Sequence, residues 1–100
     1  MVPTAKKYLD IVRQILLERL SPYDAKIILF GSMARGDYWR ASDIDVAVLP
    51  GKKIPAGLLS ELREEFEESQ IPYRIELIDL TIVSKSFADR VLETGLPWSD

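Results

Sequence analysis

Apolar residues recur at helical spacing in three long segments of the chain. Within residues 4–20, and again within residues 56–68, apolar side chains return every three or four positions, which places them on one face of a helix. A last helix is predicted to begin at Ser84, a residue type that caps helices, and to end before Gly95, which is well placed just beyond it. The pattern therefore predicts three amphipathic helices.

Shorter apolar runs between these helices are typical of strands. Lys26–Phe30 is nearly continuously apolar, Asp43–Leu49 and Tyr73–Leu80 follow later, and Met33–Tyr38 is predicted to form a short helix. The order is helix, strand, short helix, strand, helix, strand, helix. It predicts a single α/β two-layer domain over residues 1–100, with helices packed on one face of a small mixed sheet of about three strands. The other face would be available for a site.

Composition narrows the chemistry of any such site. The chain has 100 residues, of which 47% are hydrophobic and 29% are charged, as expected of one folded domain. It contains no cysteine and no histidine, which excludes disulfides, a Ser-His-Asp hydrolase and a zinc site of the usual kind. A metal site would have to be built from oxygen ligands, which favour Mg²⁺ or Mn²⁺.

Net charge and hydropathy indicate where the protein acts. A formal charge of -3 and a pI near 5.0 argue against direct electrostatic binding to nucleic acid. No apolar run is long enough to span a membrane, and the N-terminal residues lack the apolar core of a signal peptide. A cytoplasmic protein with no membrane association is therefore expected.

Gly31 and Ser32 directly follow the first strand. Glycine lets the backbone turn tightly and approach a ligand, while serine supplies a hydroxyl and a backbone N–H. The N-terminus of a following helix would add further N–H donors suited to phosphate. Taken alone, the pair also fits a plain turn.

Three carboxylates are predicted to share one face of the sheet. Asp43 and Asp45 are two residues apart on a strand, so both point away from the apolar set that contains Ile44 and Val46. Glu76 would lie beside them if the second and third strands pair. Such a cluster would bind one or two Mg²⁺ ions, and it could deprotonate an attacking hydroxyl. The alternative for Asp43 and Asp45 is that both are solvated side chains on an open sheet face.

These features together carry a resemblance to a known family. The segment GSMARGDYWRASDIDVAV resembles the G-S-x10-D-x-D motif of the polymerase-β-like nucleotidyltransferase superfamily. Within it, the chain resembles the minimal nucleotidyltransferase family, over nearly its whole length and including the closing segment FADRVLETG. The resemblance implies the polymerase-β-like nucleotidyltransferase fold.

Roles for individual residues follow from the resemblance. It implies that Gly31 and Ser32 hold the triphosphate of ATP and that Asp43 and Asp45 bind Mg²⁺ or Mn²⁺. Glu76 stands where the family most often has Asp, and it is implied to act as the third metal-binding and catalytic acid. Arg35 belongs to the Arg-Gly step of the motif, where it contacts phosphate or holds the loop. A surface ion pair between Arg35 and Asp37 is the alternative.

The resemblance also implies an activity and a partner. Members of the family are often encoded beside a small helical HEPN-type protein, and they act as antitoxins by moving AMP from ATP to a tyrosine of that ribonuclease. The chain has no room for an acceptor-binding domain of its own, which fits a protein acceptor. Two alternatives are a non-catalytic nucleotide-binding or partner-neutralising module of the same fold and a purely structural domain. The intact set of Ser32, Asp43, Asp45 and Glu76 argues against both.

Overall fold

A computed structural model describes residues 3–36 and 43–99 of the chain, except for the side chains of the first two of these residues. Within these ranges, four helices and four strands follow one another, with one turn of 3₁₀ helix at Ser21–Tyr23. Their bounds are α1 Pro3–Leu20, β1 Lys26–Phe30, α2 Gly31–Arg35, β2 Ile44–Leu49, α3 Leu58–Glu68, β3 Ile75–Asp79, α4 Lys85–Thr94 and β4 Leu96–Pro97.

Most elements lie within a few residues of their predicted positions, but the short helix is displaced. It begins at Gly31 rather than at Met33, because the positive φ of Gly31 (74°) lets the chain turn directly from β1 into the helix. The helix ends at Arg35, and Gly36 follows in a left-handed conformation. The last part of the predicted helix, which includes Tyr38, lies outside the described residues.

The sheet is mixed and has the strand order β3-β2-β1-β4. β1 is antiparallel to both of its neighbours, β2 and β4, while β2 and β3 run parallel. The predicted fold class is confirmed, with a fourth strand in addition. β4 contains only two residues, so it leaves no periodic pattern that sequence inspection could detect.

The larger core lies between the first face of the sheet and the helices α1, α2 and α3. It contains Val12, Leu16, Leu20, Ile27, Leu29, Met33, Ile44, Val46, Val48, Leu62, Phe66, Leu77 and Trp98. Burial of the core side chains orients β2 and leaves its alternate residues, including Asp45, on the second face.

None of the helices in the described ranges is long and apolar enough to cross a bilayer.

The second face is partly covered by α4, whereas the predicted arrangement placed the helices on one face. Val91 of α4 packs with Ile28 and Ala47 in a smaller cluster of buried residues. Gly95 follows the helix as expected, but its φ of −77° is not left-handed. A Cβ atom there would lie 2.7 Å from the carbonyl oxygen of Val91 and would collide with Ile28. Glycine therefore allows α4 to approach β1 closely.

Candidate active site

Asp43, Asp45 and Glu76 meet on the second face of the sheet. Asp45 and Glu76 are direct partners in the parallel pairing of β2 with β3, and Asp43 precedes β2 by one residue. One carboxylate oxygen from each of the three side chains can be chosen so that all lie within 4.8 Å of one another. Asp43 and Asp45 are half-buried, and Glu76 is exposed. The arrangement has the size and the donor atoms of a site for a hard divalent cation.

The pKa of Asp45 is affected by burial and by electrostatic repulsion within this cluster. Burial raises the pKa of the Asp45 carboxyl above its ordinary value, and the negative charges of Glu76 and Asp43 raise it further. A hydrogen bond to the Glu76 side chain acts in the same direction, whereas the positive charge of Arg74 lowers the pKa. A bound divalent cation would remove this repulsion, so these residues fit Mg²⁺ or Mn²⁺.

Gly31 places the start of α2 directly beside the carboxylates. The residue before it, Phe30, is the partner of Asp45 in the antiparallel pairing of β1 with β2. A Cβ atom on Gly31 would collide with the Asp45 carboxylate. Ser32 follows and is half-buried. The glycine therefore brings the Gly-Ser turn into contact with the acidic cluster.

Arg35 lies farther along α2, at its last residue, and its side chain is exposed. The alternative ion-pair partner named for it, Asp37, lies outside the described residues.

Arg74 is a site residue that the sequence interpretation missed. Its backbone carbonyl accepts a hydrogen bond from the Ile44 amide at 2.8 Å, which anchors it at the start of β3. Its side chain is exposed, and its charge acts on the Asp45 carboxyl. The available signal was its spacing of two residues from Glu76, which places both side chains on the same face of an extended segment.

A groove of about 640 Å³ opens beside the carboxylates, between α3 and β3. Glu76 belongs to both the groove and the acidic cluster. The other polar side chains along the groove are those of Arg63, Glu67, Tyr73 and Arg74. Glu76 thus connects the acidic cluster with the groove.

Comparison with known proteins agrees with this geometry. The family model described as Polymerase beta, Nucleotidyltransferase matches residues 14–97. The probable protein adenylyltransferase MntA of Haemophilus influenzae is 33% identical over 81 residues, which cover 81% of this chain and 69% of that protein.

Solved structures with the same fold include two toxin–antitoxin crystal structures. One, a toxin–antitoxin with AMP-PNP, matches 87% of this chain and 72% of its own with 27% identity and a TM-score of 0.69. A mutant of the toxin–antitoxin MntA–HpeT matches 92% of this chain and 69% of its own with 25% identity and a TM-score of 0.63. The chain therefore belongs to the polymerase beta nucleotidyltransferase family, within which it is a minimal nucleotidyltransferase similar to MntA.

Proposed function

We propose that this protein is a metal-dependent protein adenylyltransferase that moves AMP from ATP to a tyrosine hydroxyl of a HEPN-type ribonuclease toxin and so acts as its antitoxin. The observation that carries the proposal is the cluster of Asp43, Asp45 and Glu76, whose oxygens come within 4.8 Å of one another beside Gly31. The relative named as a probable protein adenylyltransferase and the toxin–antitoxin structures support the choice of nucleotide and acceptor. A cytoplasmic location, expected from the cysteine-free composition, belongs to the same proposal.

The carboxylates divide the work of the reaction. Asp43 and Asp45 would hold a divalent cation, with Glu76 as the third acid. Bound cations would neutralise negative charge on the phosphates. Glu76 is the exposed member of the cluster, and it accepts the proton of the tyrosine hydroxyl as that oxygen attacks the α-phosphorus. The new bond joins the tyrosine oxygen to AMP, and pyrophosphate leaves.

The turn after β1 positions the nucleotide. Gly31 lets the backbone approach the triphosphate, and the Ser32 hydroxyl and amide donate hydrogen bonds to its oxygens. Arg35, at the end of the same short helix, would add positive charge toward the phosphates. Orientation and charge neutralisation thereby supply most of the rate enhancement, since phosphoryl transfer requires little covalent chemistry from the protein.

The test is transfer of label from ATP. The protein is incubated with a HEPN-type partner, Mg²⁺ or Mn²⁺, and ATP labelled in the α-phosphate, beside the Asp43→Asn/Asp45→Asn double variant. Asp89→Asn serves as a control, because Asp89 is an exposed acid on α4 that pairs with Lys85 and is not a member of the acidic cluster. We expect label on a partner tyrosine. The amount of label should fall by at least about 100-fold in the double variant and should be unchanged in the control.

Two other results would contradict the proposal. Metal-dependent ATP binding and a stable complex with the partner, without transfer, would indicate a non-catalytic module. Transfer that survives in the double variant would show that Asp43 and Asp45 do not form the metal site.

A further inference from the structure

We propose that the groove between α3 and β3 is the acceptor-binding surface. It takes an extended segment of the acceptor protein, which lies along the outer edge of β3 near Ile75, places a cationic side chain opposite Glu67 and brings its hydroxyl to Glu76. The inference rests on the proposed transfer activity and adds where and in what form the acceptor binds.

The strand order indicates the side from which the acceptor arrives. Gly31 and Ser32 follow β1, Asp45 lies on the adjacent β2, and Glu76 lies on β3 beyond it. In phosphoryl transfer, the attacking and leaving oxygens lie on opposite sides of the phosphorus atom. A triphosphate held at Gly31 and Ser32 releases pyrophosphate on the β1 side. The hydroxyl therefore attacks from the β3 side, where the groove lies.

β3 is at the edge of the sheet and directs backbone groups into the groove. The Arg74 carbonyl bonds to the Ile44 amide, and the Leu80 amide bonds to the Val48 carbonyl. Even-numbered residues of β3 therefore direct their backbone groups toward β2, and odd-numbered residues direct theirs outward, Ile75 among them.

One outward group already has a hydrogen-bond partner from α3. The guanidinium of Arg63 donates to the Leu77 carbonyl, with Nη2 at 2.9 Å and Nε at 3.3 Å. This contact shows that the outer edge of β3 accepts donors from outside the sheet. The backbone of Ile75, two residues nearer the start of the strand, is in position to pair with an added strand. Main-chain pairing to an exposed edge is a common mode of peptide recognition.

The charged side chains of α3 that line the groove indicate which residues the incoming segment carries. Glu67 is the acidic residue of α3 that lines the groove, and the arginine on the same wall, Arg63, is engaged with Leu77. The Glu67 side chain is exposed. Arg74 and Glu76 line the strand wall opposite. A cationic side chain facing Glu67 and a hydroxyl facing Glu76 complement these two walls.

The first test is charge reversal with a matched control. Glu67→Lys changes the groove wall, whereas Glu68→Lys makes the same change on the next residue of α3, which does not line the groove. We expect Glu67→Lys to lower kcat/KM for a HEPN-type acceptor about tenfold and to leave the affinity for ATP unchanged. Glu68→Lys should stay within about twofold of the unmodified protein, because exposed charges outside a contact are screened.

The second test is amide hydrogen exchange at Ile75. Exchange at this amide should slow at least about tenfold when the HEPN-type partner binds, because an added strand would accept its hydrogen bond. The groove assignment would be overturned if the two charge reversals changed kcat/KM equally or if neither changed it. It would also be overturned if amide exchange at Ile75 were unchanged by the partner. Failure of the unmodified protein to label the partner would instead contradict the proposed function itself, so the two failures are distinguishable.

Discussion

At the scale of single residues, the main feature is Asp45, whose ionised form is disfavoured in the folded protein. The Asp45 carboxyl is partly buried and lies next to two other carboxylates, and its pKa is raised as a result. Because the folded state binds this proton more tightly than the unfolded state does, the contribution of Asp45 to stability rises as pH falls from neutral through its folded pKa. Above that pKa, the ionised group destabilises the metal-free fold.

Asp45→Asn should therefore stabilise the protein in the absence of metal. We expect Tm at pH 7 to rise by about 2–4 °C, a modest figure because solvent screens this partly exposed group. Mn²⁺ should raise the Tm of the unmodified protein and have little effect on the variant, which lacks one of the three ligands. Thermal unfolding with and without Mn²⁺ measures both effects, with Asp89→Asn as the control. A lower Tm for the metal-free variant would show that repulsion does not govern this site.

Glu76 is expected to act in proton transfer rather than in folding, since it is the exposed member of the cluster. Glu76→Gln keeps the length and shape of the side chain but removes the base. Single-turnover labelling of the partner should slow by about 100-fold or more, while the midpoint of urea unfolding does not fall. Glu68→Gln provides the same change on α3, outside the cluster and the groove. Undiminished transfer in Glu76→Gln would eliminate the proposed role as a base.

At the scale of elements, the junction of β1 with α2 joins a strand to a helix without a loop. Gly31 makes this possible through its positive φ, and the same residue leaves room for the Asp45 carboxylate. Backbone conformation and site geometry thus depend on one position.

Gly31→Ala should disturb both the fold and the site. Gly36 has a nearly equal φ of 78°, but a Cβ atom there meets nothing within 4 Å, so Gly36→Ala incurs the backbone cost alone. We expect Gly36→Ala to lower the free energy of unfolding by about 1 kcal/mol, and Gly31→Ala to lower it by about 1–3 kcal/mol more. Urea unfolding measures the two values. Metal-dependent ATP binding should weaken only in Gly31→Ala, and equal losses in both variants would argue against close packing of the turn on Asp45.

At the scale of the whole molecule, the two faces of the sheet have different roles. The first face is covered by α1, α2 and α3 over the larger core. The second face is shared between α4, which packs on Ile28 and Ala47, and the acidic cluster at Asp45 and Glu76. Among the described residues, α4 and the acidic cluster therefore occupy different parts of the second face.

Gly95→Ala tests the close approach of α4 to β1. The added Cβ would collide with Ile28 and the Val91 carbonyl, so we expect a loss of about 1–3 kcal/mol in the free energy of unfolding. Chemical denaturation checks this value, and Leu92→Ala, at a side chain that is 43% exposed, should cause a smaller loss. Equal losses would indicate that α4 packs more loosely than the structure shows.

Much of the fold could be predicted because its signals are local. Apolar spacing within single segments identified the long helices and three strands, and the capping role of Ser84 is confirmed by its bond from the Phe87 amide at 3.2 Å. Strand periodicity also placed Asp43 and Asp45 on one face. The motif from Gly31 to Asp45 was sufficient to indicate the family, since it depends only on residue types and their spacing.

Tertiary structure decided everything that depends on pairing between distant segments. β3 runs parallel to β2 with Glu76 opposite Asp45. No local pattern predicts this register, because it is set by the mutual burial of both strands. The position of Arg74 beside the cluster follows from the same register. β4 is too short to show a period, and α4 covers the second face because Gly95 allows its close approach. The sequence therefore determined which residues could form a site, and the packing of strands and helices decided which of them meet.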